Sequence, residues 1–154
     1  MDDIQTLRRI LKDSRVIAMV GLSANWYRPS YFAAKYMLDH GYRVIPVNPR
    51  ETQILGEPCY KSLLDVPVHV DIVDVFRAPD AVPGIAKEAV AIHADVLWCQ
   101  FGVINEEGIR IAEDGGLTVI VDRCLKVEHA RFVGRMHWLG FNTQRVTSVR
   151  GGLQ

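Results

Sequence analysis

The chain has 154 residues, 49% of them hydrophobic, and equal numbers of basic and acidic side chains (18 Lys+Arg against 18 Asp+Glu). That composition suits one packed domain and excludes a disordered chain, and zero formal charge without a long basic run excludes nucleic acid as the main partner. No apolar run approaches the roughly 20 residues that cross a bilayer, Asp2 and Asp3 do not begin a signal peptide, and the three cysteines, Cys59, Cys99 and Cys124, fit neither a disulfide framework nor a zinc spacing, so a cytoplasmic protein with no membrane and no metal is expected.

Residues 4–13 place Ile4, Leu7, Ile10 and Leu11 on one face of a short amphipathic helix. "RVIAMVG" (15–21) reads as a strand buried on both faces. Residues 30–40 are helical, with Gly41 placed for the left-handed residue that ends a helix. "YRVIPVNP" (42–49) is a second strand, in which Pro46 predicts a weakened end or a bulge. Residues 50–69 read as a loop with a short edge strand near 57–60 and one helical turn. "VDIVDVF" (70–76) is a strand, and Asp80 is expected to cap the following helix to about His93, with Pro83 in its first turn. "DVLWCQFG" (95–102) is the next strand. Asn105 then caps a helix that carries Glu106 and Glu107 at the favourable end of its dipole and stops at Gly115-Gly116. "LTVIVD" (117–122) is a fifth strand, and "RCLKVEHARFVGR" (123–135) is helical. The domain is expected to span residues 1–135, with a partly disordered tail over 136–154 containing Gly151-Gly152.

Apolar strands alternating with helices predict an α/β, Rossmann-like, doubly wound fold. Its mainly parallel sheet has about five to six strands, with helices on both faces. Such sheets bind ligands beyond the carboxyl ends of the strands, near the point where strand order reverses. The first exit, "GLSANWYRPS", combines Gly21 for a tight turn, Ser23 as a polar group, Arg28 as a charge and a helix start at Pro29-Ser30 that attracts anions. Taken alone it reads equally as an ordinary strand–helix connection with a surface arginine. It is not a dinucleotide fingerprint, because Ser23 and Trp26 stand where the second and third glycines belong and Asn48-Pro49-Arg50 offers no acid for a ribose. Arg50 leaves an NADP-linked oxidoreductase open on charge, while the missing glycines disfavour it. No phosphate loop of the G-x-x-x-x-G-K-[ST] type is present.

Five segments together, "VGLSANWYRPSY", "GYRVIPVNP", "VDIVDVFR", "VLWCQFGVINEE" and "VIVDRCLKVEH", resemble the small bacterial and archaeal CoA-binding proteins. These are similar to the N-terminal CoA-binding domain of the succinyl-CoA synthetase α subunit. The resemblance covers roughly residues 5–132. It implies a protein that binds coenzyme A or an acyl-CoA over the strand ends, as a non-catalytic binding or sensing protein. The alternative is the CoA-binding half of an acyl-CoA ligase that needs a partner chain. By the same resemblance Gly21, Ser23, Arg28, Pro29 and Ser30 hold nucleotide phosphates. Asn48, Pro49 and Arg50 lie by the adenosine, with Arg50 on the 3′-phosphate. Phe76 and Arg77 border the adenine or the pyrophosphate. Gln100, Phe101 and Gly102 line the pantetheine path, and Arg123 and Cys124 mark the last exit. A protein partner or a second copy of the chain completes the expected partners.

No catalytic constellation is read among His40, His69, His93, His129 and His137, and no phosphohistidine domain. His129 is expected to be structural or capping. Cys124 could form a mixed disulfide with a ligand thiol, but the favoured reading is a small buried hydrophobe. Cys99 is expected in the core, with one of Trp98 and Phe101 in the core and the other facing the ligand.

Overall fold

The computed structural model describes residues 4–132; the expected tail lies outside them. The elements are α1 (Ile4–Asp13), β1 (Val16–Val20), α2 (Pro29–Asp39), β2 (Arg43–Val47), β3 (Gln53–Ile54), β4 (Glu57–Pro58), β5 (Ile72–Val75), α3 (Val82–Ala91), β6 (Val96–Cys99), α4 (Glu106–Asp114), β7 (Thr118–Ile120) and α5 (Leu125–Phe132). Five strands form one parallel sheet in the order β2-β1-β5-β6-β7, and β3 and β4 form a separate antiparallel pair.

Strand alternation divides the core. Ile17, Met19, Val44, Ile72, Trp98 and Ile120 face α1, α2 and α5. Ala18, Val20, Val73, Val75, Leu97 and Val119 face α3 and α4. Both faces are therefore covered, which is why these strands read as continuous apolar runs. Within α1, Leu7, Ile10 and Leu11 are buried, each contributing roughly 1.5–3 kcal/mol of transfer free energy. Ile4, expected on the same face, is exposed at the open end of the helix.

Local signals account for most boundaries. Pro29 starts α2, where a missing N–H costs nothing, and Gly41 follows its end at φ +90°. Asn105 caps α4, its Oδ1 accepting from the Gly108 N–H at 2.9 Å. Asp80 does not cap α3, because a 3₁₀ turn over Pro79–Ala81 intervenes and Ala81 takes the cap position with no side-chain bond.

Pro46 produces no bulge: its strand stays in register with β1 from Arg43 to Val47. The strand is at the sheet edge, and the backbone of the buried Pro46 turns away from β1, where its carbonyl accepts from the Tyr60 N–H at 3.0 Å. A ladder donor is not needed on that side, so proline is tolerated. The expected edge strand near residue 57 exists, but as half of a hairpin turned by Leu55 and Gly56, both at positive φ.

Candidate functional site

Strand order reverses between β1 and β5, so their carboxyl ends flank a natural crevice. Gly21 sits there at φ +91°, its N–H donating to the Val47 carbonyl at 2.9 Å. A Cβ on Gly21 would lie 2.7 Å from the Phe76 carbonyl oxygen and 2.8 Å from Arg77 Cδ. The β1 and β5 exits, first and third along the chain, thus meet closely at a residue that has no side chain.

Two clefts open above this point. One, of about 510 Å³, is lined by Gly21, Ser23, Arg28, Pro29 and Ser30 from the first exit and by Asn48 and Arg50 from the second, with Phe76. The other, of about 800 Å³, takes Phe76, Arg77, Gln100, Phe101 and Cys124 from the remaining exits and Tyr27, Phe32 and Lys126 around them. Pro29 and Phe76 line both, so the clefts adjoin there. The first is polar and carries two arginines; the second is mostly apolar and aromatic.

Several polar groups read as ligand donors are engaged in holding the loops. The Ser30 hydroxyl accepts from the Ser23 N–H, and the Ser23 hydroxyl accepts from the Asn25 N–H, both at 3.0 Å. Asn48 donates from Nδ2 to the Leu22 carbonyl and accepts the Arg50 N–H, each at 2.9 Å. These bonds fix the Gly21 turn against the β2 exit and aim Arg28 and Arg50 at one cleft. Three of the anticipated residues line neither cleft. Pro49 is exposed in a turn. Gly102, at φ +75°, turns the β6 exit and donates its N–H to Asp122 Oδ1 at 2.8 Å. Arg123 lies 3.5 Å from the buried Glu128 carboxylate, and its carbonyl accepts from Trp98 Nε1 at 2.8 Å. Trp98 is buried and Phe101 is 54% exposed, which divides that pair between core and cleft.

Cys99 is buried and Cys124 half-buried; burial pushes the Cys124 thiol up, away from the reactive thiolate. His129 is buried with its Nδ1 3.0 Å from the Tyr36 hydroxyl, a structural placement on the α2–α5 interface. Burial, with His40 beside it, pushes its pKa down to about 4. None of the described histidines lines either cleft. At the opposite, amino ends of β5 and β6, the fold gathers His69, Asp71 and Asp95, a grouping that sequence spacing does not show. Their geometry is accounted for without a metal: His69 Nε2 lies 3.2 Å from Asp95 Oδ2, and Asp71 Oδ2 accepts the N–H groups of Arg15 and Val16.

Sequence reasoning passed over Asp74, Tyr27, Phe32 and Lys126. Asp74 is fully buried in the row between Met19 and Trp98; one oxygen accepts from Gln100 Nε2 and the other has no partner among the described residues. Burial pushes its carboxyl up to about 8, against the pull of the Gln100 bond. The available signal was an acid at an inward position of an otherwise apolar strand. Tyr27 and Phe32 flank the Pro29 helix start, and only the α5 packing shows that Lys126 joins them.

A family model described as CoA binding domain matches residues 15–130. The chain is 43% identical over 124 residues to the uncharacterized protein YneT of Bacillus subtilis, covering 80% of this chain and 92% of that one. A solved hypothetical protein from Pyrococcus horikoshii superposes with a TM-score of 0.84 at 36% identity, covering 86% of this chain and 93% of that one. An ADP-forming acetate–CoA ligase of Archaeoglobus fulgidus is 28% identical over 123 residues; the match takes 72% of this chain but only 18% of the ligase. No described helix is long and apolar enough to cross a membrane.

Proposed function

The chain belongs to the CoA-binding domain family, and from that premise we propose that it binds coenzyme A or an acyl-CoA across the two clefts, as a binding or sensing protein without catalysis of its own. The observation that carries this reading is that a polar, arginine-bearing cleft adjoins an apolar one at Pro29 and Phe76. Coenzyme A has the matching polarity, polyanionic at the nucleotide and less polar along the arm. In this reading the Gly21 turn and Arg28 take the pyrophosphate, with the α2 N-terminus adding a favourable dipole. Arg50 takes the 3′-phosphate through charge-assisted hydrogen bonds. Gln100, Phe101 and Cys124 lie along the arm. A second reading, the CoA-binding part of an acyl-CoA ligase completed by a partner chain, is favoured by the match to a short stretch of a much longer ligase.

The test is thermal stabilisation by CoA, dephospho-CoA and NADP. A ligand at 100 times its dissociation constant stabilises by about 2.7 kcal/mol. CoA is expected to stabilise more than dephospho-CoA, and Arg50→Ala is expected to abolish that difference. A shift with NADP and none with CoA would sink the reading. Equal response of the unmodified protein to CoA and dephospho-CoA would remove the role of Arg50 alone.

A further inference from the structure

The apolar cleft is unusual in what it leaves in water. Tyr27, Phe32 and Phe101 are 61%, 48% and 54% exposed, and all three border the same cavity. Trp26, 68% exposed, packs edge-on against Tyr27 at 5.9 Å between ring centroids. Large apolar side chains gathered around one concavity mark a binding surface, unlike single exposed residues scattered over a protein. The cavity is about 800 Å³ and adjoins a second of about 510 Å³ at Pro29 and Phe76.

The charges on the apolar cleft do not contradict this. They are Arg77 and Lys126. The Arg77 stem lies against the Gly21 turn, and the Lys126 ammonium sits 5.9 Å from the centre of the Tyr36 ring. Gln100, on the cleft wall, has its Nε2 committed to Asp74. The remaining wall offers apolar surface.

We propose that the apolar cleft receives the acyl group of a thioester, so that the ligand is a coenzyme A ester of an apolar acyl chain long enough to reach Tyr27, Phe32 and Phe101. This rests on the reading that the polar cleft holds the nucleotide. Burying the chain gains roughly 0.8 kcal/mol per methylene, so two buried methylenes already exceed a tenfold gain in affinity.

Titration of the full chain with CoA, hexanoyl-CoA and succinyl-CoA tests this. Hexanoyl-CoA is expected to bind about tenfold or more tightly than CoA, with succinyl-CoA weaker than hexanoyl-CoA. Phe32→Ser, at an exposed position on α2, is expected to bring the hexanoyl-to-CoA ratio toward one. Equal or weaker binding of hexanoyl-CoA overturns the inference while leaving the nucleotide reading intact. So does a preference for succinyl-CoA, which would mean that Arg77 and Lys126 select a carboxylate. Failure of all CoA species to bind the unmodified protein overturns the nucleotide reading itself, and the inference with it.

Discussion

Replacing Gly21 by alanine is expected to destabilise the fold by about 2–5 kcal/mol and to weaken ligand binding by more than tenfold. Two independent costs add. At φ +91° an L side chain is strained, by roughly 1–2 kcal/mol. The new methyl would also lie 2.7 Å from the Phe76 carbonyl oxygen, a backbone atom that cannot move away alone. Either the β1 exit or the β5 exit must shift, and overpacking of this kind costs roughly 1–3 kcal/mol. The shift is what links stability to binding. Phe76 lines both clefts, and the Gly21 N–H ties the turn to the β2 exit at Val47. Chemical denaturation and a CoA titration of the same variant check the two halves. A variant within about 0.5 kcal/mol of the parent, the range of neutral surface changes, would show that the β5 exit has room for a methyl group at Gly21.

The second expectation concerns pH. The stability of Asp74→Asn relative to its parent should rise with pH. The Asp74 carboxyl titrates at about 8 in the folded chain, against an ordinary value of 3.8. The folded state therefore holds that proton more tightly than the unfolded state does. The stability linked to it is whole below about pH 4 and is lost as pH rises to about 8. His129 runs oppositely, at about 4 folded against 6.5 ordinarily, so its contribution is whole above about pH 6.5 and is lost as pH falls toward 4.

In the parent these slopes oppose one another between about pH 4 and 6.5, and above that only the Asp74 slope remains. Asparagine keeps an oxygen for Gln100 Nε2 and cannot ionise. The gain should be roughly 1.4 kcal/mol per pH unit across the Asp74 window. Its buried Nδ2 adds an offset of about 1–3 kcal/mol that does not depend on pH. The slope of the difference, read from urea midpoints between pH 4 and 8, is therefore the measurement. A flat difference would mean that Asp74 is ionised without penalty, as it would be with an unseen partner for its second oxygen.

Such a buried carboxyl shows where reading the chain stops. In "VDIVDVF" the acids Asp71 and Asp74 look alike. The fold puts Asp71 at a strand start, where its carboxylate accepts two backbone N–H groups. It puts Asp74 three residues later in the apolar row under α2 and α5. Period-two alternation assigns Asp74 to a face, but the depth of that face depends on which helices cover it.

By itself the sequence determined the alternation of strands and helices, the parallel sheet covered on both sides, the turn at Gly21 and the family. These follow from hydrophobic period, from the stop and start chemistry of Gly41, Pro29 and Asn105, and from motifs that are contiguous in the chain. The tertiary structure alone decided what the exits do once assembled. It turned Ser23, Ser30 and Asn48 into loop fasteners. It tied Arg123 to Glu128, set Pro46 harmlessly on an edge and drew Tyr27, Phe32, Phe101 and Lys126 around one cleft. Those outcomes rest on contacts between residues far apart in sequence. A donor's destination and a side chain's burial are set by the neighbour that packing supplies, and residue type alone does not specify that neighbour.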